Sequence, residues 1–525
     1  MLEAEVVVIG SGICGALAAR RLALAGADVL MLEAGGPINR GEVVAAFRDS
    51  PRKSDFIAPY PYHPWAPHPV YQPDDNHYLV QAGPDPWPVQ YLRGVGGTSW
   101  HWAAQAWRLL PSDLRLHSLY GVGVDWPFDY EELDPWYQEA EEIMGVAGAE
   151  DTGSPRAKPF PMAPVAEPWA MRRIRERLAP EYRVAANTAA RNSRSYGGRP
   201  ACCGNNSCQP ICPIDAQYHG GLAAQAAQQA GVRLQSHAVV HRLEADARGR
   251  IQVAHYLTPD GQARRVAGQV FIVAANGVES PRLLLMSGIA NGSGQVGQNL
   301  MDHLSTSLTF DADEPLWLGR GPQSPSAINS RRDGPFRAEH AAYRLDFTNI
   351  SRVDSVTTAL IDQALFGEDF ERELRHRVAH EMGVRNVLEV LPTAENRIVL
   401  SSRTDALGLP TPQVHYRIDD YVRRGAEAAR QDFARIAQRM GGQRLRYSAA
   451  GKFSANHHIT GTLSMGDDPA RSVCDRHGRA HDHENLYLCG TGVMPTSGTM
   501  NATLTAVALA LRSAEHIRPM PLARG

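Results

Sequence analysis

The hydrophobic pattern at the start of the chain predicts a strand, a helix and a second strand. Residues 5–9 form an apolar run rich in β-branched residues, which favours a buried strand. Residues 16–25 are rich in alanine and leucine with helical periodicity, and Gly26 follows as a typical helix stop. Residues 28–32 form another apolar run. This order is typical of a βαβ unit, in which two parallel strands are joined by a helix.

Strand and helix patterns alternate again later in the chain, whereas the middle is less regular. The stretch 59–88 is rich in Pro, Tyr and Trp without periodicity, so we expect it to be a surface excursion. Alternation at both ends predicts an α/β domain that is discontinuous in sequence. The later patterns predict strands at 239–245, 251–257, 269–275 and 486–490, and helices at 280–286, 423–440 and 504–514.

Composition excludes several classes of protein. The chain has 525 residues, of which 43% are hydrophobic and 21% charged, as is ordinary for a globular enzyme. A formal net charge of −3 gives no indication of nucleic-acid binding. No run of about 20 apolar residues predicts a transmembrane helix. Because the first strand begins at about residue 4, with no basic and apolar region before it, we expect no secretory signal peptide.

A glycine motif follows the first predicted strand. Gly10 allows a tight turn, Gly12 lets the backbone approach a pyrophosphate, and Gly15 allows close packing of helix on strand. Glu33, at the end of the second strand, is placed to accept hydrogen bonds from a ribose hydroxyl, and an acid there disfavours NADP. The segment therefore predicts a dinucleotide site, but it does not distinguish FAD from NAD.

Four of the seven cysteines lie close together, at Cys202, Cys203, Cys208 and Cys212. Four soft ligands on one loop suit zinc or an iron–sulfur cluster. The loop lacks the paired two-residue knuckles common in zinc ribbons, and Pro213 follows the last cysteine, which favours iron–sulfur. Spacing alone leaves zinc, a cluster, and disulfides or free thiols open.

Several blocks resemble the glucose–methanol–choline (GMC) oxidoreductase family, which binds FAD. They occur in the family's order at 94–99, 274–281, 297–303 and 490–505. One departure is Ala502, where many members have proline. The resemblance implies an α/β fold with a Rossmann-like FAD-binding domain and an α+β substrate-binding domain with an antiparallel sheet. The implied boundaries are 1–110, 196–303 and 456–525 for the FAD domain, and 111–195 and 304–455 for the substrate domain.

The same resemblance implies a catalytic pair. Hydride transfer from an alcohol requires a base for the hydroxyl proton, and histidine suits neutral pH. His458 matches the family's catalytic histidine, and Asn501 matches its partner. His457 stands where close relatives have asparagine, so it could contact a substrate hydroxyl or pack on the flavin. The flavin contacts implied are Gly10, Gly12, Gly15, Glu33, Gly96, Gly97, Thr98, Ser99, Val239, Ala275 and Gly490.

The cysteine insert, at about 197–220, resembles that of the bacterial sugar-dehydrogenase branch of the family. Members of that branch carry a three-iron (3Fe-4S) cluster held by three cysteines. The match implies Cys202, Cys208 and Cys212 as ligands, with Cys203 as the spare.

The function implied is an FAD-dependent dehydrogenase that oxidises a sugar or polyol hydroxyl, with glucose favoured and gluconolactone as its product. Electrons would pass through the cluster to a cytochrome c-type partner. Fructose, sorbitol, gluconate or glycoside oxidation, an oxygen-using oxidase and a redox-inactive flavoprotein subunit are the alternatives.

The branch also implies partners and a location. A small subunit carries the export signal, and a membrane-bound multihaem cytochrome c subunit accepts electrons. We therefore expect this chain on the periplasmic side of the inner membrane, although a cytoplasmic enzyme would equally lack a signal peptide.

Overall fold

A computed structural model describes residues 2–51, 53, 56–70, 78–149 and 152–517. No helix in these ranges is both long and apolar enough to cross a bilayer. The helices are α1 (Ile13–Leu24), α2 (Arg40–Asp49), α3 (Leu116–Tyr120), α4 (Tyr130–Met144), α5 (Trp169–Leu178), α6 (Gly220–Gln229), α7 (Asn276–Ser287), α8 (Val353–Asp362), α9 (Gly367–His380), α10 (Asp420–Arg439) and α11 (Thr503–Ile517). The strands are β1 (Leu2–Ile9), β2 (Val29–Leu32), β3 (Val80–Gln81), β4 (Val184–Ala186), β5 (Arg233–Gln235), β6 (Val239–Ala245), β7 (Ile251–Leu257), β8 (Ala263–Val273), β9 (Leu304–Ser305), β10 (Ser307–Asp311), β11 (Ser326–Ile328), β12 (Tyr343–Thr348), β13 (Glu381–Leu388), β14 (Arg397–Thr404), β15 (Pro410–His415), β16 (Gln443–Tyr447), β17 (Ser454–Ala455) and β18 (Leu486–Leu488).

The first sheet joins strands from both ends of the sequence. Its order is β5-β2-β1-β8-β7-β6, and β18 pairs with the end of β8. Strand β1 is parallel to β2 and β8, and β18 is also parallel to β8. Their carboxyl ends therefore share one edge, which is where open α/β sheets bind ligands. The mixed α/β fold class predicted from the sequence is confirmed.

Helix α1 packs against α6 and α11 beside this sheet. The close approach of α1 to the turn that precedes it depends on Gly15. A methyl group added there would lie 2.2 Å from the Gly10 carbonyl oxygen. The residue predicted to allow helix–strand packing therefore has no room for a side chain.

The second sheet has the order β16-β10-β13-β12-β11-β4, and its pairs are antiparallel. Because side chains alternate along a strand, β12 has two different faces. Tyr343, Leu345 and Phe347 join the apolar core that also holds residues of α10. Arg344 and Asp346 point the other way and are buried. This polar face contributes to the site described below.

The prediction of a surface excursion at 59–88 holds for only some of the described residues: Tyr62 and Val70 are exposed, but other side chains of the segment are buried. Residues 71–77 lie outside the described ranges. Trp87 is fully buried and stacks on Tyr416, and Tyr60 is also buried. Strand β3 pairs in parallel with β15. Aromatic side chains bury a large area without needing a regular element, so the absence of periodicity did not indicate exposure.

Candidate active site

A cavity of about 400 Å³ opens at the carboxyl edge of the first sheet and reaches β13 of the second. This volume lies in the range of ordinary ligand sites. Gly15 lies behind the wall, packed against Gly10. The other residues predicted to contact flavin all line the cavity: Gly10, Gly12, Glu33, Gly96, Gly97, Thr98, Ser99, Val239, Ala275 and Gly490.

The glycines of the cavity wall fit a bound dinucleotide. A methyl group added to Gly12 or Gly490 would meet no protein atom within 4 Å. Both residues line the cavity, so their missing side chains leave room for a ligand that approaches the backbone. Gly10 has φ +104°, and a side chain there would meet the Ala274 carbonyl oxygen at 2.5 Å. The glycine turn is therefore packed closely against Ala274 at Gly10, whereas at Gly12 it leaves space for a ligand in the cavity.

Glu33 is fixed at the end of β2. Its Oε2 accepts hydrogen bonds from the Ser11 amide at 3.0 Å and the Ser11 hydroxyl at 2.7 Å, and Oε1 accepts from the Gly35 amide at 3.0 Å. Burial raises the pKa of Glu33. A carboxylate has about four acceptor positions, so this arrangement leaves capacity for a ribose hydroxyl.

The two residues predicted as the catalytic pair meet in the same cavity. Asn501 Nδ2 donates to His458 Nε2 at 2.9 Å. On the other side of the imidazole, His458 Nδ1 lies 2.8 Å from His303 Nδ1. His303 Nε2 in turn lies 2.9 Å from the Gly498 carbonyl oxygen. A hydrogen-bonded chain therefore runs from a backbone carbonyl to the proposed base.

This chain assigns the tautomer of His458. A carbonyl oxygen only accepts, so His303 Nε2 carries the hydrogen and, in the neutral ring, His303 Nδ1 is an acceptor. His458 Nδ1 must then donate to it, which leaves the lone pair on His458 Nε2. In this structure that lone pair accepts the Asn501 amide hydrogen, and a substrate hydroxyl would have to displace this contact. Burial lowers the pKa of His303 to about 4, and burial lowers that of His458 well below its usual 6.5. Both rings are neutral at physiological pH, and His458 is ready to accept a proton.

Arg344 fixes the orientation of the Asn501 amide. Its Nη2 donates to Asn501 Oδ1 at 2.8 Å, so the Asn501 NH₂ group points to His458 and the cavity. The remaining Arg344 donors are also engaged, by Asp346 at 2.9 and 3.2 Å, the Thr499 carbonyl at 2.7 Å and Gln105 at 2.8 Å. The side chain is fully buried. Asn501 is thereby held as a donor toward a substrate oxygen.

His457, the departure from close relatives, also lines the cavity. Its Nδ1 accepts the Gln90 amide hydrogen at 3.1 Å, and burial lowers its pKa to about 4. The neutral ring therefore carries its hydrogen on Nε2. The Asp302 carboxylate fixes the local backbone by accepting the amides of His457 and His458 at 3.2 and 2.8 Å and the Trp87 indole at 3.0 Å.

Four further residues shape this end of the cavity: Arg385 lines it, and Asp302, His303 and Arg344 hold His458 and Asn501 from behind. Asp302 and His303 belong to one of the family blocks, but the sequence predicts no role for them, and Arg344 and Arg385 were not among the predicted site residues. A usable signal was present at Arg344 and Asp346, since two opposite charges alternate with apolar residues in a strand otherwise suited to a core. Arg385 had no comparable signal, because it reaches the cavity only through the pairing of β13 with β12.

The cysteine insert brings three of its thiols near one another. Burial raises the pKa of the Cys202 thiol, and the nearby thiols of Cys208 and Cys212 raise it further, whereas Cys203 is exposed. No group of three or more Cys, His, Asp or Glu side chains surrounds a single metal position within the described ranges. An iron–sulfur cluster needs no such centre, because its thiolates bind different irons. The Cys202, Cys208 and Cys212 thiols are close enough to influence one another electrostatically, and the cluster stays a prediction.

The insert borders the cavity. Gln209, between two of the cysteines, lines the cavity wall. Its Nε2 donates to the His101 carbonyl at 3.1 Å, and His101 lines the cavity as well. The insert is also tied to the second half of the chain, because Asn206 Nδ2 donates to the carbonyls of Gly321 and Asn349 at 2.7 and 2.9 Å.

Comparisons with known proteins agree with this architecture. Two family models, both described as GMC oxidoreductase, match residues 121–305 and 392–510. The chain is 44% identical to the fructose dehydrogenase large subunit of Gluconobacter japonicus, over 98% of both chains. It is 30% identical to the 6'''-hydroxyparomomycin C oxidase of Streptomyces lividus, over 98% of this chain and 91% of that protein.

Solved structures support the fold. Pyridoxine 4-oxidase from Mesorbium loti aligns with a TM-score of 0.64 and 18% identity, over 98% of this chain and 99% of that one. Formate oxidase from Aspergillus oryzae RIB40 aligns with a TM-score of 0.65 and 14% identity, over 98% of both chains. The family models and the 44% identity together confirm the predicted family: this chain belongs to the GMC oxidoreductases and is an FAD-dependent enzyme that oxidises CH–OH groups.

Proposed function

We propose that the protein is a dehydrogenase that oxidises one hydroxyl of a sugar or polyol to a carbonyl. The observation that carries the proposal is the hydrogen-bonded chain from Gly498 through His303 to His458, which keeps hydrogen off His458 Nε2 and joins that nitrogen to the Asn501 amide in the cavity. The likeness to a fructose dehydrogenase subunit supports a sugar substrate. This likeness makes fructose a better candidate substrate than glucose, although glucose was the candidate favoured from the sequence.

The residues of this chain perform three tasks in the reaction. Asn501 Nδ2 donates a hydrogen bond to the substrate oxygen and His458 Nε2 takes the hydroxyl proton, while the carbon-bound hydrogen departs with its electron pair. Bound FAD supplies the acceptor for that hydride. As the proton leaves, negative charge grows on the substrate oxygen, and the Asn501 amide and the nearby Arg344 stabilise it. A carbonyl product remains.

We further propose that Cys202, Cys208 and Cys212 hold a three-iron cluster, which supplies one-electron transfer toward a cytochrome c-type partner. The contact of Gln209 with the cavity wall supports this role, because it places the insert beside the flavin site. Trp317 and Ile350 are 57% and 38% exposed on the segments that bind Asn206. Exposed apolar side chains next to the insert support a partner surface there. A simple oxidase would need neither feature.

The proposal for location follows from the family resemblance. A small subunit with the export signal would carry this chain to the periplasmic side of the inner membrane, where a membrane-bound multihaem cytochrome c subunit would accept electrons. Cell fractionation with and without the small subunit tests this. Accumulation of the chain in the periplasm without that subunit would contradict joint export.

Anaerobic flavin bleaching tests the enzymatic assignment. Purified protein is mixed with fructose, glucose or sorbitol, and the rate of flavin reduction is compared for wild type and His458→Ala. Loss of a general base lowers the rate by about 10²- to 10⁴-fold. His376→Ala, on the distant helix α9, is the matched control and should react as wild type does. Equal rates for wild type and His458→Ala would refute the assignment of the base.

Iron analysis tests the cluster separately. Wild type and Cys203→Ser should each hold about three irons per chain, and Cys212→Ser should lose them. Anaerobic electron paramagnetic resonance should show an oxidised-cluster signal that disappears when a substrate sugar is added. Metal-loaded wild type without iron would refute the cluster, and iron loss on replacing Cys203 would refute the ligand set.

A further inference from the structure

Two buried arginines beside the cysteine insert donate only to uncharged acceptors. Arg191 and Arg199 are 4% and 8% exposed. Nη2 of Arg191 donates to the Ala103 carbonyl oxygen at 3.3 Å and to Gln217 Oε1 at 2.6 Å. Both terminal nitrogens of Arg199 donate to backbone carbonyl oxygens, at 3.1 and 2.8 Å. Their positive charges are therefore solvated by protein dipoles and not by an acid.

Arg191 is connected with two of the cysteines proposed as cluster ligands. It holds Oε1 of Gln217, and Nε2 of the same amide donates to the Cys208 carbonyl oxygen at 3.5 Å. The carbonyl oxygen of Asn192, the next residue in the chain, accepts the Cys202 amide hydrogen at 2.8 Å. The Arg191 charge also acts on the Cys202 thiol. These contacts fix the cation close to the insert.

Arg199 is connected with the third proposed ligand. Its charge and the Cys212 thiol act on each other, and its Nη1 binds the carbonyl oxygen of Ala216, four residues further along the chain. Its Nη2 binds the carbonyl oxygen of Met144, at the carboxyl end of α4. A helix end carries about half a negative elementary charge, so this contact offsets only part of the Arg199 cation.

The insert contains no free acid that could balance the two arginines. Asp215 is its only acidic residue, and its carboxylate pairs with Arg40 at 3.0 Å and with His219 at 3.2 Å. Burial lowers the pKa of His219, so this ring adds no charge at neutral pH. Neither Arg191 nor Arg199 forms an ion pair with a carboxylate of the described residues. Because an unbalanced buried cation is costly, this part of the molecule favours an anionic group.

An iron–sulfur cluster would bring the missing negative charge, whereas disulfides and protonated thiols are neutral. The ligating thiolates outweigh the charge of the inorganic core, so a cluster and its ligands are anionic together, and one electron makes them more negative still. A buried cation nearby stabilises the reduced form more than the oxidised form. Net charge and hydrogen bonding around a cluster accordingly set its reduction potential.

We propose that Arg191 and Arg199 are the fixed counter-charges of a three-iron cluster on Cys202, Cys208 and Cys212, and that they raise its reduction potential. This inference rests on the cluster of the proposed function and adds the residues that tune it. A higher potential makes one-electron transfer from reduced FAD more favourable. One electron enters from the flavin and one leaves to the cytochrome c-type partner, and no covalent bond forms or breaks.

A redox titration tests the proposal. Electron paramagnetic resonance follows the oxidised cluster against potential, and flavin absorbance is recorded in the same samples. Arg191→Gln and Arg199→Gln remove the charges, whereas Arg191→Lys and Arg199→Lys keep them. Arg332→Gln is the matched control, because Arg332 is also buried and binds the carbonyl oxygens of Thr152 and Arg108 instead of the insert. Iron content and melting temperature verify that each variant is loaded and folded.

Each glutamine variant should keep about three irons per chain and shift the one-electron equilibrium about tenfold toward the oxidised cluster. A tenfold change is about 59 mV for one electron. The lysine variants should recover most of this shift. The Arg332→Gln cluster and the flavin of every variant should titrate as in wild type.

Wild-type cluster potentials in both glutamine variants would overturn the proposal, and so would an equal shift in Arg332→Gln. Should the glutamine variants lose iron, the lysine variants decide: iron kept by lysine supports the need for positive charge, and iron lost there as well overturns it. Wild type that binds no iron would remove the cluster from the proposed function. Flavin bleaching by a sugar would still test the dehydrogenase assignment independently.

Discussion

The two sides of the catalytic pair are built differently. Behind it lies a supporting layer, which we define as His303, Arg344, Asp346 and the Gly498 carbonyl. In this layer both nitrogens of His303 and all the guanidinium nitrogens of Arg344 are hydrogen-bonded inside the protein. In front lies a substrate face, formed by His457 and Arg385, which both line the cavity. The Arg385 Nε–H has no hydrogen-bond partner among the described residues, and its guanidinium reaches Asp346 only at 3.7 Å.

The difference shows how the fold separates two requirements. Catalysis needs the base and the amide held in one orientation before substrate arrives, and a fully bonded layer achieves this without reorganisation. Recognition needs donors that are still available, so they must stay unpaired until a ligand satisfies them. Variants of the supporting layer should therefore change the chemical step, whereas variants of the substrate face should change binding.

The largest effect is expected on breaking the supporting layer at Arg344. Arg344→Met leaves Asp346 as a buried carboxylate with only the distant Arg385 as a partner, which should lower the free energy of unfolding by about 3–5 kcal/mol. Chemical denaturation measures this. The double variant Arg344→Met/Asp346→Leu removes the stranded charge and should recover stability but not activity, because Asn501 still lacks its anchor. Wild-type flavin reduction in either variant would contradict the anchoring role.

His303→Leu should break the layer on its other side with a smaller effect. Without the acceptor at His303, His458 is free to place its hydrogen on Nε2, and a base in the wrong tautomer loses much of its activity. We expect the rate of flavin reduction to fall about tenfold to hundredfold with little change in KM. Steady-state and single-turnover kinetics separate the two constants. A change confined to KM would place His303 in binding instead.

Replacing His457 tests the substrate face. His457→Asn introduces the residue that the family resemblance implies for this position and removes the imidazole Nε2–H donor. We expect KM to rise a few-fold while kcat is kept, because a single uncharged hydrogen bond to substrate is worth about 1 kcal/mol. Steady-state kinetics with the preferred substrate measures both. A large fall in kcat with unchanged KM would show that His457 belongs with the supporting layer.

The smallest effect concerns pH. Burial, and to a lesser extent His303, Arg344, His457 and Arg385, hold the pKa of His458 well below 6.5, so the base stays unprotonated through neutral pH. We expect kcat/KM to fall only when the pH drops well below 6.5. Arg385→Gln removes one of the cations, so the acidic limb of the profile should move to higher pH. An acidic limb centred at 6.5 or above in wild type would contradict the buried, neutral histidine.

Local sequence determined a large part of the fold. Strands predicted at 239–245 and 251–257 match β6 and β7, and the helix predicted at 423–440 matches α10 within three residues. These elements carry clear hydrophobic periods, and the period follows from the geometry of a single element. Tyr60 and Trp87 are buried although the segment around them has no hydrophobic period. The prediction that these residues are exposed was therefore wrong.

The sequence also determined the chemistry that this chain brings to its cavity. The glycine turn, Glu33, His458 and Asn501 could be named from motif and resemblance, because each is tied to a short segment with a fixed local role. What only the tertiary structure decided is how these groups are oriented and charged. His303 and Arg344 act through His458 and Asn501, which lie 155 and 157 residues away from them in the sequence, and Arg385 has its place only because β13 pairs with β12. The tautomer of His458, the orientation of the Asn501 amide and the pairing of Arg385 depend on residues that are close in space but distant in sequence. No local sequence pattern therefore predicts them.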